Sequence, residues 1–174
     1  MSGLLIINAD DFGENPGTTR GILEGIDAGV VTSTTILANM PGTEEALRLA
    51  RQRAGSASFG VHLNLCEGAS LAGVGAARTL VDASGAFRSK RTQALRAVAR
   101  RLDLADVARE FDAQISRVRD AGVAISHLDG HKHLHQLPGV ASVVLRLAAV
   151  HGITRIRCTL EEGVWPRGLP LVDA

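Results

Sequence analysis

Short runs of aliphatic and β-branched residues alternate with amphipathic stretches five times along this chain, and that alternation limits its fold more than any other feature. Residues 4–9 (LLIINA) read as a buried strand ending at Asp10-Asp11-Phe12-Gly13. Pro16-Gly17-Thr18 opens a helical stretch with Ile22, Ile26 and Val30 at helix spacing, closing near Gly29. A second strand is expected over residues 31–39 (VTSTTILAN), and Thr43-Glu44-Glu45 begins a helix that runs to Arg53, before Gly55. The third strand, residues 58–65, places Gly60, His62 and Asn64 on one face and Val61, Leu63 and Leu65 on the other. A Gly-, Ala- and Ser-rich loop follows over 67–85, then helices over 91–102 and 104–121, the second amphipathic through Val107, Phe111, Ile115 and Val118. The fourth strand enters the stretch 126–137, a helix spans 138–151, and a fifth strand covers 153–158. The class is therefore α/β, a parallel sheet or barrel, in a single domain over residues 1–174. Chemistry in such folds gathers at the carboxyl ends of strands. Asp10, Asp11, Asn39, His62, Asn64, the histidines from His127 to His135, and Arg157 fall at or near those ends.

Residues 126–137 read SHLDGHKHLHQL, with four of the six histidines (His127, His131, His133, His135) and Asp129 spaced by two. In an extended strand all of these side chains leave one face, as half of a metal site would require. The competing reading is a polar, adventitiously metal-binding tract, and strict alternation with an aspartate favours the site. Asp10 and Asp11 must point to opposite faces while the chain is extended. Both reach one site only where the strand turns, and Phe12-Gly13 supplies that turn. One carboxylate then binds a metal while its neighbour acts as base, unless the pair is a helix cap beside a solvated neighbour. His62 belongs to the same group if its strand end lies near those of Asp11 and His131.

Composition excludes several other functions. Aromatic content of 3% with no tyrosine leaves no stacking platform for single-stranded nucleic acid, and a net charge of +1 gives no field toward nucleic acid or anionic lipid. No apolar run reaches the roughly 18 residues of a membrane span, and the first residues carry no basic leader, so the cytoplasm is the expected compartment. Cys66 and Cys158 stand outside any paired motif and read as small buried hydrophobes in a reducing compartment, the competing reading being a mixed site of Cys66 with His62, four residues before it. The arginines and lysine between Arg88 and Arg101 read as a solvated helix face, because arginine is abundant throughout the chain.

NADDFG at 8–13, VTSTTILAN at 31–39, GVHLNL at 60–65 and SHLDGHKHLHQLP at 126–138 together resemble the motif set of the YdjC-like carbohydrate deacetylases. That resemblance implies a distorted (β/α) barrel of parallel strands and one divalent metal ion. Magnesium is the family's implied ion, whereas two imidazoles and a carboxylate also suit zinc. It implies hydrolysis of the N-acetyl group of an amino sugar or chito-oligosaccharide, releasing acetate. Carried over by position, Asp11, His62 and His131 are the expected metal ligands and Asp10 the general base. Asn39, His133, His135 and Arg157 are expected to meet substrate, with His133 and His135 lining the pocket or orienting ligands. A different barrel-type metallohydrolase would carry its H-x-H pair on the first strand, where this chain has Asp10-Asp11.

Barrels of this kind take about 250 residues, and this chain stops after its fifth expected strand. The barrel is therefore expected to be incomplete, and an inactive relative retaining a sugar- or metal-binding pocket is the competing reading. An open parallel sheet leaves an edge, expected at residues 154–158. A second copy of the chain in a homodimer, or the tail with Leu169 and Leu171, is expected to cover it.

Overall fold

The computed structural model describes residues 5–159. Four parallel strands, β1 (Asn8–Phe12), β2 (Ser33–Ile36), β3 (Ser58–Leu63) and β4 (Ile125–Gly130), lie side by side in sequence order. Each crosses to the next through helical connections: α1 (Pro16–Asp27), α2 (Thr43–Gln52), then α3 (Lys90–Val98) and α4 (Leu104–Asp120) together. Helix α5 (Val140–His151) follows β4. Parallel pairing of this kind needs crossovers of a dozen or more residues, so the topology follows from the spacing of the strands. Among the described residues the fold is α/β with an open four-stranded parallel sheet, as expected of an incomplete barrel.

Local signals explain the helices. The Asn15 side chain accepts from the backbone N–H of Gly17 (2.9 Å) and Thr18 (3.0 Å), and Pro16 occupies the first helical position of α1. Asp103 caps α4 through Ala105 N at 2.8 Å, and α5 ends on Gly152 at φ 69°. Among the described residues, no helix is long and apolar enough to cross a membrane.

Helix α4 has two working faces. Val107, Phe111, Ile115 and Val118 are fully buried against the sheet, each such side chain stabilising the fold by ~1.5–3 kcal/mol relative to exposure. A second row, Asp106, Glu110 and Gln114, is also buried but polar. It grips the long connection after β3. Asp106 accepts from Thr79 N and Oγ1 (both 2.8 Å). Glu110 accepts from Ser70 Oγ (2.5 Å), Ala72 N (3.0 Å), Leu71 N (3.2 Å) and Gln114 Nε2 (2.7 Å). Gln114 in turn pairs with the Asn64 backbone at N (2.9 Å) and O (2.7 Å). The connection has little regular structure, yet this row fastens it.

The structure corrects four boundaries. β1 runs through Asp10 and Asp11 instead of stopping before them, and β2 shortens to Ser33–Ile36. The histidine-rich strand ends at Gly130. His131–Gln136 is a 3-10 turn with Lys132 (φ 52°) and His133 (φ 60°) left-handed, so the period of two does not carry one face through to His135. The fifth strand reduces to one bridge, Leu128 with Ile156, closed by Leu128 N to Arg155 O (3.0 Å) and Arg157 N to Leu128 O (2.9 Å). The tail expected to fold over that edge lies outside the described residues.

Glu110→Ala would strand several buried donors at once. Urea unfolding is expected to show a loss of about 3–5 kcal/mol, with faster amide exchange at Leu71 and Ala72. A loss under about 1 kcal/mol would show that the polar row does not hold the connection.

Candidate metal centre

Two irregularities in the sheet build the site. Ala9 pairs with Thr34 and Phe12 with Ile36, so Asp10 and Asp11 together face Thr35 alone. Asp11 absorbs the extra residue at φ 67°, a left-handed conformation that aspartate tolerates better than most residues. The bulge breaks the alternation of faces, and both carboxylates reach the carboxyl end of the sheet without any loop between them. A second bulge sets Ser126 and His127 against Gly60. The His127 ring lies so close over Gly60 that a Cβ there would come within 2.6 Å of it. Beyond that bulge the register pairs His62 directly with Asp129 and Leu63 with Gly130.

Asp11, His62 and His131 meet at this end. Asp11 Oδ1 lies 2.8 Å from His131 Nδ1 and 3.2 Å from His62 Nε2, and the donor atoms of the three all lie within 4.8 Å of one another. The two imidazoles pack edge to face with centroids 5.4 Å apart and are buried, while Asp11 is half-exposed. Each ring is oriented from behind. His62 Nδ1 meets Thr35 Oγ1 at 2.9 Å and lies 3.7 Å from Asp129 Oδ2. His131 Nε2 lies 3.3 Å from Glu67 Oε2, too far out of line for a hydrogen bond, and is otherwise buried and unsatisfied. Carboxylates behind imidazoles are the usual support for metal-ligating histidines. One carboxylate and two imidazoles that turn Oδ1, Nε2 and Nδ1 toward one point fit a divalent cation.

A second group overlaps the first. Donor atoms of Asp10, His62 and Asp129 also lie within 4.8 Å of one another. Arg157 Nη1 donates to Asp10 Oδ1 (2.7 Å) and Oδ2 (2.9 Å) and to Asp129 Oδ2 (2.8 Å). Asn8 Nδ2 adds a bond to Asp10 Oδ1 at 2.6 Å, and Gly130 N one to Asp129 Oδ1 at 2.7 Å. The guanidinium's pairing with Asp129, and then with Asp10, holds Arg157 above its ordinary basicity despite partial burial.

The remaining expected residues sit elsewhere. Asn39 donates to the carbonyls of Glu67 (2.9 Å) and Ala69 (3.0 Å) and accepts from Asn64 Nδ2 (3.0 Å), which makes it a brace for the connection after β3. His133 is exposed on the left-handed turn. His135 is buried against Gly130, where a Cβ would fall 2.1 Å from its Nδ1, and its Nε2 meets the Arg157 carbonyl at 3.0 Å. Burial pushes His135 below the usual imidazole range. It supports the Arg157 segment instead of lining a pocket. Sequence reasoning passed over Thr35 and Glu67. It placed Asp129 on the histidine-rich face of a metal site, and the structure sets that carboxylate behind His62 and against Arg157.

The Asp11 carboxyl is held well below the usual carboxylate range, first by its hydrogen bond to His131, then by that to His62, with burial acting the other way. Its folded value lies beneath the unfolded value of about 4. Its ionised form therefore contributes stability above that pH, and the contribution is lost as pH falls through the folded value. With a chelator present, Asp11→Asn is expected to lose less stability than wild type on going from about pH 5 to about pH 3, read by urea unfolding at each pH. Parallel curves for the two proteins would show that Asp11 is not held in this way.

The YdjC-like protein family model matches residues 4–169. A human carbohydrate deacetylase is 40% identical over 165 residues, covering 92% of this chain and 50% of that one. A carbohydrate deacetylase of Geobacillus stearothermophilus is 39% identical over 173 residues, covering 99% of this chain and 66% of that one. A crystal structure from Enterococcus faecalis V583 superposes with a TM-score of 0.76 at 35% identity, covering 86% of this chain and 57% of that one. The chain thus spans between half and two-thirds of the length of these relatives.

Proposed function

This chain belongs to the YdjC-like family, and we propose on that premise that it is a metal-dependent carbohydrate deacetylase. It hydrolyses the N-acetyl group of an amino sugar or chito-oligosaccharide and releases acetate. The observation that carries the reading is the convergence of Asp11, His62 and His131 beside a second carboxylate, Asp10, that is outside their group yet within reach of His62. Relatives about 40% identical over nearly the whole of this chain carry the name carbohydrate deacetylase.

Asp11, His62 and His131 would hold one divalent ion. Magnesium follows from the family resemblance, and zinc suits the nitrogen-rich donor set. When bound, such an ion polarises an amide carbonyl and lowers the pKa of water. The chain's own groups do the rest. Asp10 takes the proton of the attacking water at Oδ1 or Oδ2 and returns it to the amine nitrogen as the C–N bond breaks, leaving acetate and the free amino sugar. Arg157 and Asn8 fix the direction in which those oxygens point. Thr35 and Asp129 hold His62, and Glu67 backs His131. Lys132 is paired with Glu67 at the rim of the same cluster and holds that carboxylate beside His131.

The test is acetate release from N,N′-diacetylchitobiose with added magnesium or zinc, beside metal analysis of the purified chain. Asp10→Asn is expected to keep the ion and the fold while turnover falls ~10²–10⁴-fold, as loss of a general base costs. His131→Ala is expected to lose the ion altogether. Equal metal loss in both variants would make Asp10 a ligand and overturn its role as base. A wild-type chain that binds metal and sugar but releases no acetate would identify a binding protein instead.

A further inference from the structure

We propose that Arg157 is a built-in cation that limits this centre to a single metal ion, an inference that rests on the Asp11–His62–His131 centre proposed above. Two donor groups share His62, and in each the donor atoms lie within 4.8 Å of one another. By chemistry they are near equals: a carboxylate with two imidazoles on one side, two carboxylates with one imidazole on the other. They differ in what already occupies them. Among the described residues, the Asp11 side chain meets only the neighbouring imidazoles at short range, whereas the Asp10–Asp129 pair receives Arg157 Nη1 at 2.7, 2.9 and 2.8 Å on three oxygens.

The charges point the same way. Asp10, Asp11 and Asp129 against Arg157 leave two negative charges, while Lys132 and Glu67 neutralise each other. One divalent ion beside neutral imidazoles balances that remainder, and metal-ligating histidines must be neutral. A second ion would leave an uncompensated double positive charge around Asp129, which is fully buried. The guanidinium is not needed to anchor its own segment. The Arg157 backbone already donates to Leu128 O at 2.9 Å and accepts from His135 Nε2 at 3.0 Å. Arginine also suits the task because it stays charged at any ordinary pH, so acid–base change cannot vacate the position.

The experiment titrates manganese(II) into the full 174-residue chain, with free ion followed by electron paramagnetic resonance and bound ions inspected for spin–spin coupling. Wild type is expected to bind one ion per chain. Arg157→Met, close in length but uncharged, is expected to bind two, with coupling between them, and Arg157→Lys one. Arg157→Met/Asp129→Asn removes a carboxylate of the second group and is expected to return to one. Should Arg157→Met not fold, Arg157→Gln keeps an N–H donor for Asp129 while losing the charge, and is expected to take a second ion at least tenfold more tightly than wild type does. One ion in the folded Met or Gln variants would overturn the inference while leaving the centre intact. A second ion that persists after Asp129→Asn would overturn it too, because that ion must bind elsewhere. Wild type that takes up no ion would sink the underlying centre, a failure visible before any Arg157 variant is made.

Discussion

Parallel pairing is the constraint on which the molecule depends. When four strands run the same way, their carboxyl ends fall on one side, and whatever polar residues those ends carry must meet there. The register then decides who meets whom. His62 faces Asp129 because β3 and β4 pair them directly, and Thr35 lies one strand over in position to bond the same ring. Register alone would still have sent Asp10 and Asp11 to opposite faces. The bulge against Thr35, with Asp11 left-handed, removes that obstacle. It lets adjacent carboxylates serve different partners: imidazoles for Asp11, a guanidinium for Asp10.

Support for the rim comes from behind the sheet. The buried polar row of α4 recurs every fourth residue, so Asp106, Glu110 and Gln114 form one line along the helix. That line fastens the connection after β3 at Thr79, residues 70–72 and Asn64 in turn. Glu67 sits within the fastened stretch and so is carried to His131 and Lys132. A carboxylate that the chain could not place by secondary structure is placed by a helix some forty residues further on.

Much of this could be read from the residues, for reasons that differ by position. Periodicity located every helix to within a few residues, since apolar spacing and caps such as Asn15 act locally. The triad Asp11, His62 and His131 was legible because strand ends and histidine spacing are both written along the chain. The bulges were not, since nothing in NADDF shows that Asp11 will adopt a positive φ; that conformation answers to the neighbouring strand. The turn at Lys132 and His133 misled the alternation argument for the same reason. His135 was expected to line the pocket or orient ligands; its ring fills the space that Gly130 leaves, and only packing reveals that. The likeness to a deacetylase family rested on the ADDFG and histidine motifs, and it held over nearly the whole chain.

The contact between Asp11 and His131 has a topological consequence. Its partners stand 120 residues apart, and the clamp of Arg157 on Asp10 joins positions 147 apart. Between them these two links draw the described chain into nested rings closed at a single knot of polar atoms. The entropy of closing so long a loop is high, and most of it is already spent when the sheet forms. Whatever bridges Asp11 to His131 therefore acts on the polypeptide as a buckle. It ties the first strand to the turn that follows the fourth, and the chemistry of the centre and the closure of that ring become one property.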